Sequence, residues 1–375
     1  MNKIEFLKRL DGVVGMLCCS LLPRTKEHAC DGDVRSILFI RPGGIGDAVL
    51  LALAIKQLTK KFPKATITVL AEKRNAGVFA LIPGVGKVLC YDVFTEFITA
   101  FQRKPDLLID TEQYHRLSAM VARLIGAGVR IGFGTNERAR LFHHAMPYSH
   151  DDYEAVSFMR LLAPLGIAPL VKIPSTFLSV PPIAKARATQ LLTPLEGQPF
   201  IVLFPGASIP ERRWGAARFG RVAASLSEEG YGIVVIGGKE DMATAALIVA
   251  NNSGLNLAGT TNLTESAAIV EQSTMLISGD SGILHIGVGL GIPTVSLFGP
   301  GIAKKWAPQG VLHRVLNHHL PCSPCTKFGY TEKCRYQGEC IQEITPDEVV
   351  QAALVQRFSG LGLVHNQPEH FLSIV

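Results

Sequence analysis

Apolar residues fall along this chain in short continuous runs that alternate with longer stretches of helical periodicity. Ile37-Leu38-Phe39-Ile40 is bounded by polar residues and reads as a strand buried on both faces. It runs into Arg41-Pro42-Gly43-Gly44-Ile45-Gly46-Asp47 and a helix from Ala48 to about Lys61. The pattern then predicts strands at 66–70 and 87–91, a helix at 94–102, a strand at 106–109, a helix at 115–125 and a strand at 130–133. A helix is expected from Asp151 to about Leu165, followed by a linker punctuated by Pro169, Pro174, Pro181 and Pro182. Phe200-Ile201-Val202-Leu203-Phe204 then repeats the opening strand and ends in Pro205-Gly206-Ala207-Ser208. Further strands are expected at 232–236, 275–278 and 294–298. Alternation of this kind implies parallel sheets covered by helices on both faces, in two doubly wound α/β domains.

In such folds ligands bind at the carboxyl edge of the sheet, so the loops after the strands carry the candidate chemistry. The loop after Ile40 is neither a dinucleotide fingerprint nor a P-loop, but its glycines could hold the Asp47 carboxylate at that edge. A helix N-cap is the other reading of Asp47. Ser278-Gly279-Asp280-Ser281-Gly282-Ile283-Leu284-His285 follows an apolar run and opens a helix. Unpaired N–H groups and the dipole make its N-terminus an anion seat, with Gly279 and Gly282 allowing close approach; capping by Asp280 or Ser281 accounts for the same residues. Arg212 and Arg213, after Ser208, and Glu240, after Gly237-Gly238-Lys239, belong to the same edge of the second sheet. An arginine there suits a diphosphate and an acid suits a ribose.

Composition narrows the partners. Hydrophobic residues at 47% and charged residues at 18% describe a folded, core-rich chain rather than a disordered one. The net charge of +6 favours an acidic partner: a nucleotide, a phosphorylated glycan, nucleic acid or an anionic membrane. Between Arg116 and His144, Arg116, Arg123, Arg130, Arg138 and Arg140 stand against one acid, Glu137, and would suit a phosphorylated acceptor or form a solvated basic face. Lys3, Lys8 and Arg9 before the apolar stretch 13–22 have the look of a signal peptide, but no small-residue cleavage site follows. Residues 1–35 are instead read as an amphipathic extension with Phe6, Leu7, Leu10 and Val14 inward, lying either on the cytoplasmic face of a membrane or on the protein itself.

Cys322-x2-Cys325-x8-Cys334-x5-Cys340 has the count of a structural zinc site, with a second pair spaced more widely than in a zinc ribbon. Two disulfides or buried thiols are the other readings.

Together, Ile40 to Asp47, Pro205-Gly206-Ala207-Ser208 to Trp214, Gly237-Gly238-Lys239-Glu240, and Gly279-Asp280-Ser281-Gly282 with His285 resemble glycosyltransferase family 9, the ADP-heptose:lipopolysaccharide heptosyltransferases and their relatives. The resemblance spans roughly Ser36 to Leu354. It implies a GT-B architecture of two facing Rossmann-like domains with a central cleft: an acceptor domain at 36–180, a nucleotide-sugar donor domain at 181–345, and a C-terminal helix and tail at 346–375. It also implies inverting transfer without a catalytic metal, from an ADP-heptose-like donor to a phosphorylated lipopolysaccharide core acceptor. The setting would be the cytoplasmic face of the inner membrane, with no nucleic acid involved and any zinc purely structural. By position, Asp47 matches the general base. Ser208, Arg212, Glu240, Asp280, Ser281, Gly282 and His285 match the donor site, with Arg212 where the family commonly has lysine. Gly43, Gly44 and Arg116 are the expected acceptor contacts. A sugar-nucleotide epimerase and a non-catalytic nucleotide-binding or metal-carrying module are the competing functions.

Overall fold

The computed structural model describes residues 11–29, 32–250, 254–327, 330–331 and 333–360. The chain forms two compact units: one of residues 1–181 with 304–306 and 327–330, the other of the remaining residues. The C-terminal helix Pro346–Gly360 belongs to the second unit, burying Val349, Ala352 and Ala353 in its core.

The first unit holds a six-stranded parallel sheet in the order β3-β2-β1-β4-β5-β6. Its strands are β1 (Ser36–Ile40), β2 (Thr66–Ala71), β3 (Val85–Cys90), β4 (Leu107–Asp110), β5 (Val129–Phe133) and β6 (His144–Met146). Four consecutive residues of β1 and all of β4 are buried, as expected of strands covered on both faces. The register is direct, with Ile37 opposite both Ile67 and Leu107.

The second unit repeats this order with β7 (Phe200–Phe204), β8 (Gly232–Val235), β9 (Leu255–Asn256), β10 (Met275–Gly279), β11 (Thr294–Leu297) and β12 (His313–Leu316), arranged β12-β11-β10-β7-β8-β9. In each sheet the chain leaves the first strand toward one edge and later returns to fill the other. The switch points are therefore β1/β4 and β7/β10, where an open α/β sheet has its natural crevice.

The structure adds elements that the pattern does not predict. β6, β9 and β12 are short or half-exposed, and Pro182 opens a helix, Pro182–Leu191, where a linker was expected to continue. Proline fits there because the first helical turn needs no N–H donor from it. The expected helix from Asp151 is confined to Glu154–Arg160 and a 3-10 turn at Ala163–Leu165.

The N-terminal element corrects its expectation. A π-helical turn, Asp11–Gly15, continues into the helix Met16–Leu21, which packs on the first unit through Asp11, Gly15 and Cys19 while Val14 is 41% exposed. Phe6, Leu7 and Leu10 lie outside the described residues. No described helix is long and apolar enough to cross a membrane.

Candidate active site

At the β1/β4 switch point the loop after β1 turns at Gly43, whose φ is +97°. Gly44, in extended conformation, is the N-cap of the helix Ile45–Leu50, so Asp47 sits inside the first turn and does not cap it. Its carboxylate has other partners. Trp306, in the short helix Ala303–Trp306 and assigned to the first unit, donates its indole N–H to Asp47 Oδ1 at 3.1 Å. Arg41 Nη2 stands 3.5 Å from Asp47 Oδ2, and the Asp47 side chain remains 21% exposed. Arg41 itself is buried and spans the switch point, donating to Pro42 O at 2.7 Å and Thr111 O at 2.9 Å.

A buried polar network lies close by. Lys305 Nζ and Glu154 Oε2 are 2.8 Å apart, with neither side chain exposed. The ammonium also donates to Ser149 O at 2.7 Å and Ser157 Oγ at 2.9 Å, and lies 4.2 Å from the centre of the Tyr148 ring. Glu154 further accepts from Gln113 Nε2 at 2.6 Å and Tyr148 Oη at 2.9 Å. Burial, reinforced by the charge of Asp47, pushes the Glu154 carboxyl up to about 7 against the pull of Lys305. Such a network is costly to leave half satisfied, so it fixes the segment that carries Trp306. Sequence reasoning missed Trp306, Lys305 and Glu154, since nothing local links them to Asp47.

Most of the arginine cluster is committed to the fold. Arg116, an expected acceptor contact, binds Glu137 Oε2 through Nε at 2.8 Å and Nη2 at 2.7 Å, is 12% exposed, and lies 3.8 Å from Asp11. Its charge is balanced by the chain's own acids. Arg138 is fully buried, 2.6 Å from Asp110, and Arg130 donates to Leu141 O and Ala127 O. Burial brings the Arg130 guanidinium down to about 10, with neighbouring Arg123 adding to the shift. Glu112 is buried among these groups; burial alone would raise its carboxyl, but Arg41, His115 and Arg138 bring it below its usual range. Gly43 and Gly44 do line the loop that carries Asp47, and a side chain at Gly44 would meet nothing within 4 Å.

At the second switch point Arg212 Nη1 lies 2.8 Å from Asp280 Oδ2, and a Cβ on Gly279 would come within 3.2 Å of Arg212 O. The loops after β7 and β10 are thus brought together. The charge contact is not aligned as a hydrogen bond: Arg212 Nε and Asp280 Oδ2 are buried without a hydrogen-bond partner among the described residues. Ser281, and not Asp280, is the N-cap of the helix Gly282–Leu290, accepting from Leu284 N at 3.3 Å and sharing a hydrogen bond with Ser278 Oγ at 2.8 Å. Gly282 is the first helical residue, without a positive φ, and His285 is buried in the second turn.

Ser208 and Glu240 are exposed in the loops after β7 and β8. Asp241, which sequence reasoning passed over, is the buried acid: it accepts from Gly238 N at 3.0 Å, lies 3.6 Å from Arg213, and fills the space that side chains at Gly206 and Gly237 would need. The glycines on both loops were its signal.

The four C-terminal cysteines, expected as a zinc set, lie near one another. Cys322, Cys325, Cys334 and Cys340 are free thiols, and no group of three or more His, Cys, Asp or Glu among the described residues could hold a metal ion. Cys334 Sγ accepts from Gly338 N at 3.2 Å, and the buried Cys340 packs at Gly299. Burial, with the neighbouring cysteines adding, raises the Cys325 thiol, and raises that of Cys340 to about 11.

With this geometry in view, comparison with known proteins is specific. Residues 96–335 match the model of glycosyltransferase family 9 (heptosyltransferase). The lipooligosaccharide heptosyltransferase 2 of Haemophilus ducreyi is 27% identical over 344 residues, covering 84% of this chain and 97% of that protein. A lipopolysaccharide heptosyltransferase 3 of Escherichia coli is 27% identical over 287 residues, covering 70% and 83%. Among solved structures, the E. coli ADP-heptose lps heptosyltransferase II aligns with a TM-score of 0.70 at 21% identity over 86% of this chain and 99% of that one. A family 9 glycosyltransferase from Veillonella parvula aligns with a TM-score of 0.71 at 20% identity, over 88% and 100%. These structures share the paired parallel sheets, so the fold is GT-B, and with a family match across most of its length the chain belongs to glycosyltransferase family 9.

Proposed function

We propose that this glycosyltransferase moves a heptose from ADP-heptose to a sugar hydroxyl of a phosphorylated lipopolysaccharide core, with inversion at the anomeric carbon. The observation that carries the reading is Asp47: a partly exposed carboxylate at the β1/β4 switch point, held by Trp306 and Arg41 and not used as a cap. In the reaction Asp47 takes the proton of the acceptor hydroxyl as that oxygen attacks the anomeric carbon. The bond from that carbon to the diphosphate breaks, and its electron pair leaves with ADP. Arg212 and the N–H groups opening the helix Gly282–Leu290 offset the charge that develops on the leaving diphosphate. Asp280 accepts from hydroxyls of the donor sugar and Glu240 from those of the ribose.

The donor class is supported by structural relatives: an E. coli ADP-heptose lps heptosyltransferase II and an iron-containing heptosyltransferase solved in complex with ADP-D-beta-D-heptose. Mass spectrometry of purified core acceptor incubated with the protein and ADP-heptose tests the reading. Addition of one heptose is expected, and no transfer from ADP-heptose would overturn it.

A further inference from the structure

The N-terminal helix is docked the wrong way round for an ordinary surface helix. Asp11, Gly15 and Cys19, four residues apart, form the stripe that meets the first unit. Asp11 Oδ1 accepts from the backbone N–H groups of Arg116 and Leu117 at 2.7 and 2.8 Å, capping the helix Arg116–Ile125. A Cβ on Gly15 would come within 3.0 Å of Arg116 Cβ, so a larger residue would push the helix away. Cys19 is fully buried in the same apolar cluster as Ala119, Ala122 and Leu141. The large apolar side chains are therefore left outside: Val13, Val14, Met16, Leu17 and Leu21 are 60%, 41%, 41%, 51% and 81% exposed. A surface helix normally turns such residues inward, and an outward apolar ridge marks an interaction site.

Charge decides what covers it. Residues 12–26 contain no acid, and the exposed Arg24 and Lys26 follow the ridge directly. In the sequence before it, Lys3, Lys8 and Arg9 outnumber Glu5, while the one acid of the turn, Asp11, is turned inward onto the protein. Apolar side chains flanked by cations match a bilayer with anionic headgroups, where the side chains reach the acyl boundary and the cations meet phosphates. A second copy of the same face would oppose like charges. We propose that the face formed by Val13, Val14, Met16, Leu17 and Leu21 docks the protein on an anionic lipid bilayer. This does not rest on the transferase reading, because lipid binding is measured without turnover.

Co-sedimentation of the full chain with vesicles tests it. The wild type is expected to partition onto phosphatidylcholine/phosphatidylglycerol vesicles about tenfold or more better than onto phosphatidylcholine alone, since basic residues near the surface are drawn to anionic headgroups. The double variant Leu17→Glu/Leu21→Glu alters only exposed positions and is expected to lower binding at least about tenfold with an unchanged melting curve. Arg24→Gln/Lys26→Gln touches no buried group and is expected to lose the anionic preference. Equal partitioning of the wild type on both vesicles, no binding to either, or variants that bind like the wild type would overturn the proposal. So would a concentration-dependent dimer in sedimentation velocity that Leu17→Glu dissolves, which would assign the face to a second copy.

Discussion

The indole N–H of Trp306 donates to Asp47 Oδ1 at 3.1 Å, joining residues 259 positions apart in sequence. The carboxylate in the first turn of the helix Ile45–Leu50 is thus held by a side chain that the buried pair Lys305–Glu154 fixes in place. If Asp47 is the base, this bond sets where its free lone pairs point. Trp306→Phe keeps the ring and deletes the donor. Turnover is expected to fall about tenfold, the worth of a hydrogen bond to a charged group, with ADP affinity unchanged. Steady-state kinetics beside calorimetric titration with ADP separates the two; a wild-type kcat would show the bond to be structural only.

Asp47→Asn preserves shape and removes the proton acceptor. It is expected to melt near the wild-type temperature and bind ADP normally while losing about 10²- to 10⁴-fold in turnover. Wild-type turnover in this variant would remove Asp47 from the chemistry, whatever the outcome for Trp306.

Arg212→Ala deletes the cation that faces Asp280. ADP binding is expected to weaken by about 1.5 to 3 kcal/mol, one to two decades in affinity, and Arg212→Lys is expected to recover part of it. The Ala variant also leaves the buried Asp280 carboxylate without its cation, so its melting temperature is expected to drop. Calorimetry and thermal melts read both effects. Undiminished ADP affinity in Arg212→Ala would move the diphosphate away from the β7/β10 edge.

Acid is expected to act through His143. Burial, then the nearby Arg130 guanidinium, depresses its imidazole to about 4, and its Nδ1 accepts the Arg130 backbone N–H at 2.8 Å, a bond that the doubly protonated ring cannot keep. Since the unfolded chain takes up this proton near pH 6.5 and the folded one only near 4, the stability it contributes is full above 6.5 and is lost as pH falls toward 4. Allowing for partial solvent screening, the loss is about 1 to 2 kcal/mol. His143→Asn, which can still accept the N–H and does not titrate, is expected to flatten this part of the stability–pH curve measured by urea denaturation. An identical curve in the variant would place the acid sensitivity elsewhere.

Element order was legible because it is a local property. β1, β4, β7 and β10 are each built on an apolar run of three or more residues, and the glycines after three of them mark the turns that lead into helices. β6 and β9 escaped because two or three half-exposed residues carry no period, and the helix Pro182–Leu191 because its opening proline reads equally as a breaker. The Asp47 and Asp280 loops were legible for the same reason as the strands: the end of a buried strand is written in its composition, and in a parallel sheet that end is the ligand-binding edge.

The sequence by itself determined two parallel α/β units, the loops at their carboxyl edges and the family those loops belong to, all of which follow from patterns a few residues long. Only the tertiary structure decided how the charges are spent. Arg116 and Arg138 are paired internally, Arg212 meets Asp280, Trp306 reaches Asp47, and the N-terminal helix buries Asp11, Gly15 and Cys19 instead of its leucines. Each of these is a pairing between groups far apart in sequence, whose partner is chosen by which side chains the packed core brings within a few ångströms and removes from water.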